Sequence, residues 1–512
     1  MGSATATALN GGLILSILLC IYSLSFKNWI FVFVAAIALH NRYGYGLSNF
    51  AGPTAASLTT LWRARHIKQN WTKRPTFAKL HEEYGEIVRI GPKTLSFASP
   101  DAIDAIYGAK ANMSKSQWYT AWEAHGKGAK KENIFSTRDI HWHARYRKHV
   151  ERSYEMSQLK RKESEIDGLV GLLLSQLDDS SGKLVDLPRA IHYFTFDAGG
   201  VFSFSRPFGF LKKRGDIDGI LKTMRNGAKI LHMLAYVPLA QMWIDKNPMA
   251  VYFGFIAPPM RFAKKYIPYE RIEEEVKQPE HNPKHNDILD TYITAIRTED
   301  GVVSQNEIVD LALMIVVPNP EAVRSAISSL LFYVRQNSEI LAKLQHELEG
   351  AFPSKDTIAS WDTASKLPYL DACIKESMRL QPPTGFLMER VVPSEGAVIC
   401  GEFIPGGTTV GCVPWVMHRH RPTFGDDVEN FRPERWIEAS PEQRAAMDKV
   451  WCPFGFQSRL CMGMNMGLFE LYKITATLLN RYQIDIEAPN NDMEVTWANI
   501  VNVDYNARLT RR

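Results

Sequence analysis

Residues 304 to 336 constrain the fold more than any other stretch of this chain. Ser304-Gln-Asn-Glu307 reads as a capping box, in which hydroxyl and carboxylate satisfy each other's orphan backbone donors. The pattern that follows predicts a helix to about residue 336, about 48 Å long at about 1.5 Å per residue. Its middle, Leu311 to Val317, is apolar on every face. Such a helix must be enclosed on all sides, so the fold needs a large core around it. The chain is long enough, at 512 residues, and it shows neither a Gly/Ser- or Pro-rich linker nor a repeat of about 20 to 50 residues. One large body, or two lobes sharing a core, is expected. A hydrophobic fraction of 45% excludes disorder, and a net charge of +5 excludes a strongly cationic nucleic-acid binder.

Residues 11 to 39 are nearly all apolar apart from Lys27 and Asn28, and about 20 such residues span a bilayer as a helix. No Lys or Arg precedes the run and no clear cleavage site follows it, so a membrane anchor is expected rather than a removed signal. The bases lie after it, from Arg42 through Arg63 and Arg65, which places the remaining chain on the cytosolic side. The predicted organisation is a single-pass N-terminal anchor over residues 1–45 and a body over 46–512. Lys27 leaves open whether the apolar run is one span or a span plus a surface piece.

Within the body, alternating residues from 86 to 97 around Gly91-Pro92 read as two strands and a turn. Helical patterns dominate from about 100 to 350. Another helix is bounded by Pro368 and by Pro382-Pro383, short strands return between 390 and 415, and a last helix runs from about 462 to 481. The expected fold class is mainly α with a minor β part.

Six cysteines, Cys20, Cys373, Cys400, Cys412, Cys452 and Cys461, are too few and too bunched for a disulfide framework. Cys461 stands in Pro453-Phe454-Gly455-Phe456-Gln457-Ser458-Arg459-Leu460-Cys461-Met462-Gly463. A cysteine just before a helix meets free N–H groups and the positive dipole end, which favour the metal-ligating thiolate. Arg459 adds charge that can pair with a carboxylate. Upstream, Glu376-Ser377-Met378-Arg379 puts an acid and a base on one helix face. Between the two lies Phe431-Arg432-Pro433-Glu434-Arg435-Trp436, a loop supplying another arginine. Cys452 lacks the flanking Arg and Gly and reads as core.

These three pieces in this order resemble the cytochrome P-450 family of haem-thiolate proteins over about residues 50 to 512, nearest to fungal secondary-metabolism members similar to pisatin demethylase. The resemblance implies that Glu376 and Arg379 lock with Arg435, and that Cys461 is the axial ligand of haem b in a loop framed by Phe454 and Gly463. It implies that His143, Arg147, Arg390 and Arg459 meet the haem propionates, a suitable match because guanidinium binds carboxylate in bidentate fashion. It further implies a monooxygenase of the endoplasmic reticulum membrane, with its catalytic domain in the cytosol. Electrons would come from NADPH-cytochrome P-450 reductase, with cytochrome b5 as a further partner. The substrate would be a lipophilic terpenoid, polyketide or alkaloid intermediate, in a pocket with Trp118, Trp122, Val317, Thr384, Phe386 and Leu387. No G-x-G-x-x-G follows a predicted strand, so neither a nicotinamide nor a flavin site is expected here.

Two departures from the family pattern stand out. Where the long helix usually carries an acid followed by threonine, this chain reads Pro318-Asn319-Pro320-Glu321-Ala322. The acid is present and the proton-relaying hydroxyl is absent, and the prolines should kink the helix and free backbone carbonyls. Three readings stay open: monooxygenation with protons relayed through Asn319, Glu321 and the freed carbonyls; an isomerisation, dehydration or oxidative coupling needing less controlled protonation; or a haem protein without turnover. The second departure is Gln457, at a position where the family places glycine in a tight turn.

Overall fold

The computed structural model describes residues 26–67, 76–126, 129–131, 133–237, 249, 258–278, 284–297, 303–316, 318–487, 494–497 and 501–512. The alternation around Gly91-Pro92 produces the expected hairpin: β1 (Ile87–Gly91) and β2 (Thr94–Phe97) pair antiparallel. Their apolar residues Val88, Ile90, Leu95 and Phe97 are fully buried. The hairpin forms one side of a five-stranded sheet completed by β3 (Ser114–Lys115), β4 (Arg390–Val391) and β5 (Thr409–Cys412), in the order β1-β2-β5-β4-β3. β5 runs parallel to β2, and β4 is antiparallel to both its neighbours. The register sets Lys115 directly opposite Arg390.

Helices make up most of the rest. The first described helix, α1 (Phe26–Tyr43), leaves Phe31, Phe33 and Leu39 exposed. Among the described residues no helix is long and apolar enough to cross a membrane. Residues 1–25, which hold the first half of the expected anchor, lie outside the described residues. Asp139 opens α2 (Ile140–Val150) by accepting from the backbone N–H groups of His141 and Trp142 at 2.8 and 2.9 Å. Asp186 does the same for α3 (Leu187–Phe204), with Pro188 in the first turn.

The stretch expected to be helical is described as α4 (Gln305–Val316) and α5 (Pro318–Gln336), with Val317 outside the described residues. Pro318 and Pro320 offer no N–H to the preceding turn. Half of the predicted capping box is present: Glu307 accepts from the Ser304 N–H at 2.7 Å, while the Ser304 hydroxyl donates to the same carboxylate. Leu311, Ala312 and Leu313 are consecutive and all buried, as an enclosed helix requires. Helix α6 (Pro368–Leu380) has its proline in the first turn, and α7 (Met464–Arg481) follows the last cysteine. Helix α5 packs on α3, α6 and α7 and on the strand Val501–Asp504, one of several C-terminal strands that the sequence pattern did not reveal.

Candidate active site

Glu376 and Arg379, which could have formed a surface pair, are both fully buried. Arg379 donates its Nε and a terminal nitrogen to the two Glu376 oxygens, each at 2.8 Å. Arg435 donates to Glu376 Oε1 at 2.8 Å, and so does the backbone N–H of Arg432 at 3.0 Å. Trp436 Nε1 donates to Oε2 at 2.9 Å. The remaining Arg379 donors reach the carbonyls of His418, Val428 and Asn430. Burial would raise the Glu376 carboxyl, but Arg379 and Arg435 hold it below the ordinary range. His418, which the motifs did not flag, ties this cluster to the cysteine loop. Its Nδ1 lies 3.1 Å from the Arg379 carbonyl and its Nε2 accepts from the Cys452 N–H at 2.8 Å. Cys452 itself is buried core, as expected.

A second charged cluster surrounds the cysteine loop. Lys115 and Arg390, paired across β3 and β4, are each only 6% exposed, an arrangement that like charges disfavour unless an anion joins them. Burial depresses the Lys115 amine well below its ordinary value, and the charges of Arg390 and Arg459 depress it further. Arg459 is brought down to about 10 by burial, then by Arg390. Its two terminal nitrogens are buried and donate to no protein group among the described residues. His143, buried on α2, is lowered to about 3 by burial, then by Arg459 and Lys115. The neighbouring carboxylates are committed elsewhere: Glu389 accepts from Arg63 and Ser116, and Glu151 pairs with Arg147 at 2.9 Å. A recess of about 330 Å³ lined by His143, Arg147, Ser458 and Arg459 opens beside the cluster. Lys115 is the residue the motifs missed; only the pairing of distant strands brings it here.

Cys461 follows Arg459 in the same loop. Arg147 clamps the residue before it, donating to the Leu460 carbonyl at 2.8 Å, and the Cys461 N–H donates to the Phe454 carbonyl at 2.8 Å. The sulfur is open to solvent on one side. The protein packed around its other sides pushes the thiol up, opposed by the Gly463 N–H and the Arg147 charge; a bound metal ion would hold it as thiolate. A Cβ on Gly463 would come no nearer than 4.0 Å to the sulfur. Gln457 takes φ +39°, in the left-handed region, and its Nε2 donates to Asp104 at 2.8 Å. The loop therefore keeps its turn without the glycine. An accessible thiol beside buried cations that lack carboxylates fits a haem with two propionates.

Glu321, on α5, does not stand alone. Its oxygens lie 3.5 Å from His192 Nε2 on α3 and 3.5 Å from Arg324, which is buried and bonded to Asp504 at 2.9 Å. Burial lowers His192 to about 4. The Pro320 carbonyl accepts from the Thr195 hydroxyl at 3.1 Å, which ties α5 to α3. Asn319 and Ala322 are half-buried one turn apart on another face of α5. Of the expected pocket residues, Trp118 stacks on Phe386 at 4.9 Å and lies 6.0 Å from Trp122. The buried Thr384 hydroxyl and Trp122 Nε1 have no protein partner among the described residues. Leu387 is buried against Gly411, and Val317 lies outside the described residues.

The cytochrome P-450 family model matches residues 53–510. The chain is 32% identical to the cytochrome P-450 monooxygenase cicH of Emericella nidulans, over 88% of this chain and 91% of that protein. A cytochrome P-450 monooxygenase of Aspergillus terreus is 30% identical over 88% of this chain and 93% of its own length. Another from Aspergillus flavus is 31% identical over 88% and 89%.

Proposed function

The chain belongs to the cytochrome P-450 family and is an oxidoreductase of the monooxygenase type, and from that premise we propose that it oxidises a lipophilic secondary-metabolite intermediate at a haem held by Cys461. Bound haem supplies dioxygen activation and electron transfer, its thiolate donating electron density that favours O–O cleavage. The observation that carries the reading is the accessible Cys461 beside the unneutralised set of Lys115, His143, Arg390 and Arg459. In this reading those four, with Arg147, receive the propionates, while Phe454 and Gly463 shape the loop. Glu376, Arg379 and Arg435 hold that loop in place from behind, through His418 and Cys452. Trp118, Trp122 and Phe386 offer aromatic faces to the substrate, with Thr384 and Trp122 Nε1 as directional polar contacts; Leu387 packs behind them and Val317 completes the set. Glu321, Asn319 and Ala322 line the oxygen side.

Residues 46–512 form the catalytic unit in this reading, and residues 1–45 attach it to the endoplasmic reticulum membrane facing the cytosol. The apolar residues exposed on α1 support that attachment. NADPH-cytochrome P-450 reductase supplies the electrons and cytochrome b5 assists. The reduced carbon monoxide difference spectrum of the folded protein should show the thiolate-type band, and Cys461→Ser should abolish it. Product formation should consume NADPH and labelled O2 in equal amounts. Ala322 favours a second reading, an isomerisation, dehydration or coupling, which product formation without NADPH and O2 consumption would select. A folded haem protein without turnover on any supplied substrate would be the third.

A further inference from the structure

The cations beside the cysteine loop are held by groups that carry no full negative charge. The Lys115 ammonium donates to the Phe135 carbonyl at 2.5 Å, and lies 4.5 Å from the Tyr119 ring centroid and 4.8 Å from that of Phe135. Those two rings meet edge to face at 5.4 Å, so the charge sits in an aromatic corner. Arg390, opposite Lys115 across β3 and β4, donates to the Glu389 carbonyl at 2.8 Å and stands over the Tyr107 ring at 5.1 Å. Arg459 keeps both terminal nitrogens buried without a protein acceptor among the described residues. Ring faces and carbonyls steady a cation without cancelling its charge. Among the described residues no ion pair joins Lys115, Arg390 or Arg459 to a carboxylate. Glu389 is engaged by Arg63 and Ser116, Glu151 by Arg147, and the exposed Asp139 by the first turn of α2. His143, brought down to about 3, is uncharged near neutral pH. Lys115, Arg390 and Arg459 therefore set three positive charges against the two propionates of a haem.

We propose that Lys115 tunes electron entry: it leaves the haem-loaded site one positive charge in excess, and that charge makes the haem easier to reduce. The proposal rests on the haem-thiolate reading of Cys461. Two carboxylates neutralise two of the three cations, and the guanidiniums are the better match because their planar forks bind carboxylates in bidentate fashion. Lys115, already bonded to Phe135, is the charge left over. Burial and the neighbouring guanidiniums press its amine to shed a proton in the haem-free protein, and the propionates oppose that pressure. The step it acts on is a single electron transfer, in which the reductase loses one electron, the haem gains it, and no bond of the protein forms or breaks. A fixed positive charge favours the state that holds the extra electron. At an effective dielectric constant of about 20, one unit charge acting over about 12 Å shifts such an equilibrium about tenfold.

The test reads the haem reduction potential of the full-length haem-loaded protein by spectroelectrochemical titration, without substrate. Lys115→Gln keeps a donor for the Phe135 carbonyl and removes the charge. It should disfavour the reduced haem about tenfold, which is about 59 mV for one electron. Lys115→Arg keeps the charge and should hold the wild-type potential. Haem retention should fall less in Lys115→Gln than in Arg459→Gln, and haem-free Lys115→Gln should be at least as stable as the wild type, because an unneutralised buried charge is gone. An unchanged potential in Lys115→Gln would overturn the proposal, since the amine would then be neutral in the loaded site. Haem loss as great as in Arg459→Gln would overturn it as well, by making Lys115 a matched propionate partner. So would failure of both Lys115→Gln and Lys115→Met to fold, because removal of an excess charge should not unfold the chain. A wild-type protein that shows no thiolate-type band with dithionite and carbon monoxide would instead remove the haem-thiolate reading, and the tuning role with it.

Discussion

The cluster around Glu376 and the cluster around Arg459 are both buried and both rich in arginine, and they differ in one respect. Every donor aimed at Glu376 finds an oxygen, its carboxylate is met by two guanidiniums, an indole and a backbone N–H, and Asp427, 3.0 Å from Arg435, balances the second guanidinium. The other set brings Lys115, Arg390, Arg459 and His143 together while the nearby carboxylates serve other partners. Burial is similar in the two, so burial does not separate structure from function here; closure of charge does. A network neutral within itself stabilises the fold, and one left positive keeps room for an anion.

The largest expected effect breaks the closed cluster. Glu376→Gln leaves two buried guanidiniums without their carboxylate and should cost about 3–5 kcal/mol of stability, measured by urea unfolding. The loss should be the same with and without haem, because the cluster is complete in the protein alone. A loss confined to the haem-loaded form would contradict the comparison. Arg459→Gln should do the reverse. Removing one charge from the unneutralised set should leave the haem-free protein as stable or more stable. It should also weaken haem retention by about 1.5–3 kcal/mol, the value of a charge-assisted hydrogen bond, read as faster transfer to an excess of a haem acceptor.

Acid sharpens the contrast next. His418 bridges the Arg379 carbonyl and the Cys452 N–H as a neutral ring, and burial followed by the Arg379 charge lowers it to about 3 from an ordinary 6.5. Below pH 6.5 the unfolded chain binds a proton that the folded chain refuses until about pH 3, so the contribution is complete above that window and is lost as pH falls through it. The loss should be about 1.4 kcal/mol per pH unit. Urea unfolding of the wild type and His418→Gln at pH 7 and 5.5 should show the variant with the shallower pH slope.

Much of this was legible in the sequence because its motifs are local. Glu376 and Arg379 share one helix face, Arg435 follows a proline loop, and Cys461 carries its arginine and glycine on either side. The hairpin at Gly91-Pro92 and the proline-bounded α6 were legible for the same reason. What was not legible depends on tertiary pairing: Lys115 becomes meaningful only opposite Arg390, and Arg324 only beside Asp504 on a late strand. Nor could the sequence foretell that Thr195 on α3 would bond the Pro320 carbonyl.

The smallest effect concerns the loop that joins the two clusters. Gln457 holds φ +39°, which costs a non-glycine residue about 1–2 kcal/mol. Its side chain offsets part of that by bonding Asp104 at 2.8 Å, a carboxylate that also pairs with Lys449 at 2.9 Å. That bond is exposed and contributes about 0.5–1 kcal/mol. Gln457→Gly removes the strain together with the bond, so thermal unfolding should show a net gain of no more than about 1.5 kcal/mol. Gln457→Ala keeps the strain and loses the bond, and should be destabilised by about 0.5–1 kcal/mol. Opposite signs for the two variants, with unchanged carbon monoxide spectra, would mean that Asp104 holds a strained turn that the cysteine loop needs. Equal signs would mean that the bond and the backbone are not coupled, and that the glutamine is tolerated without compensation.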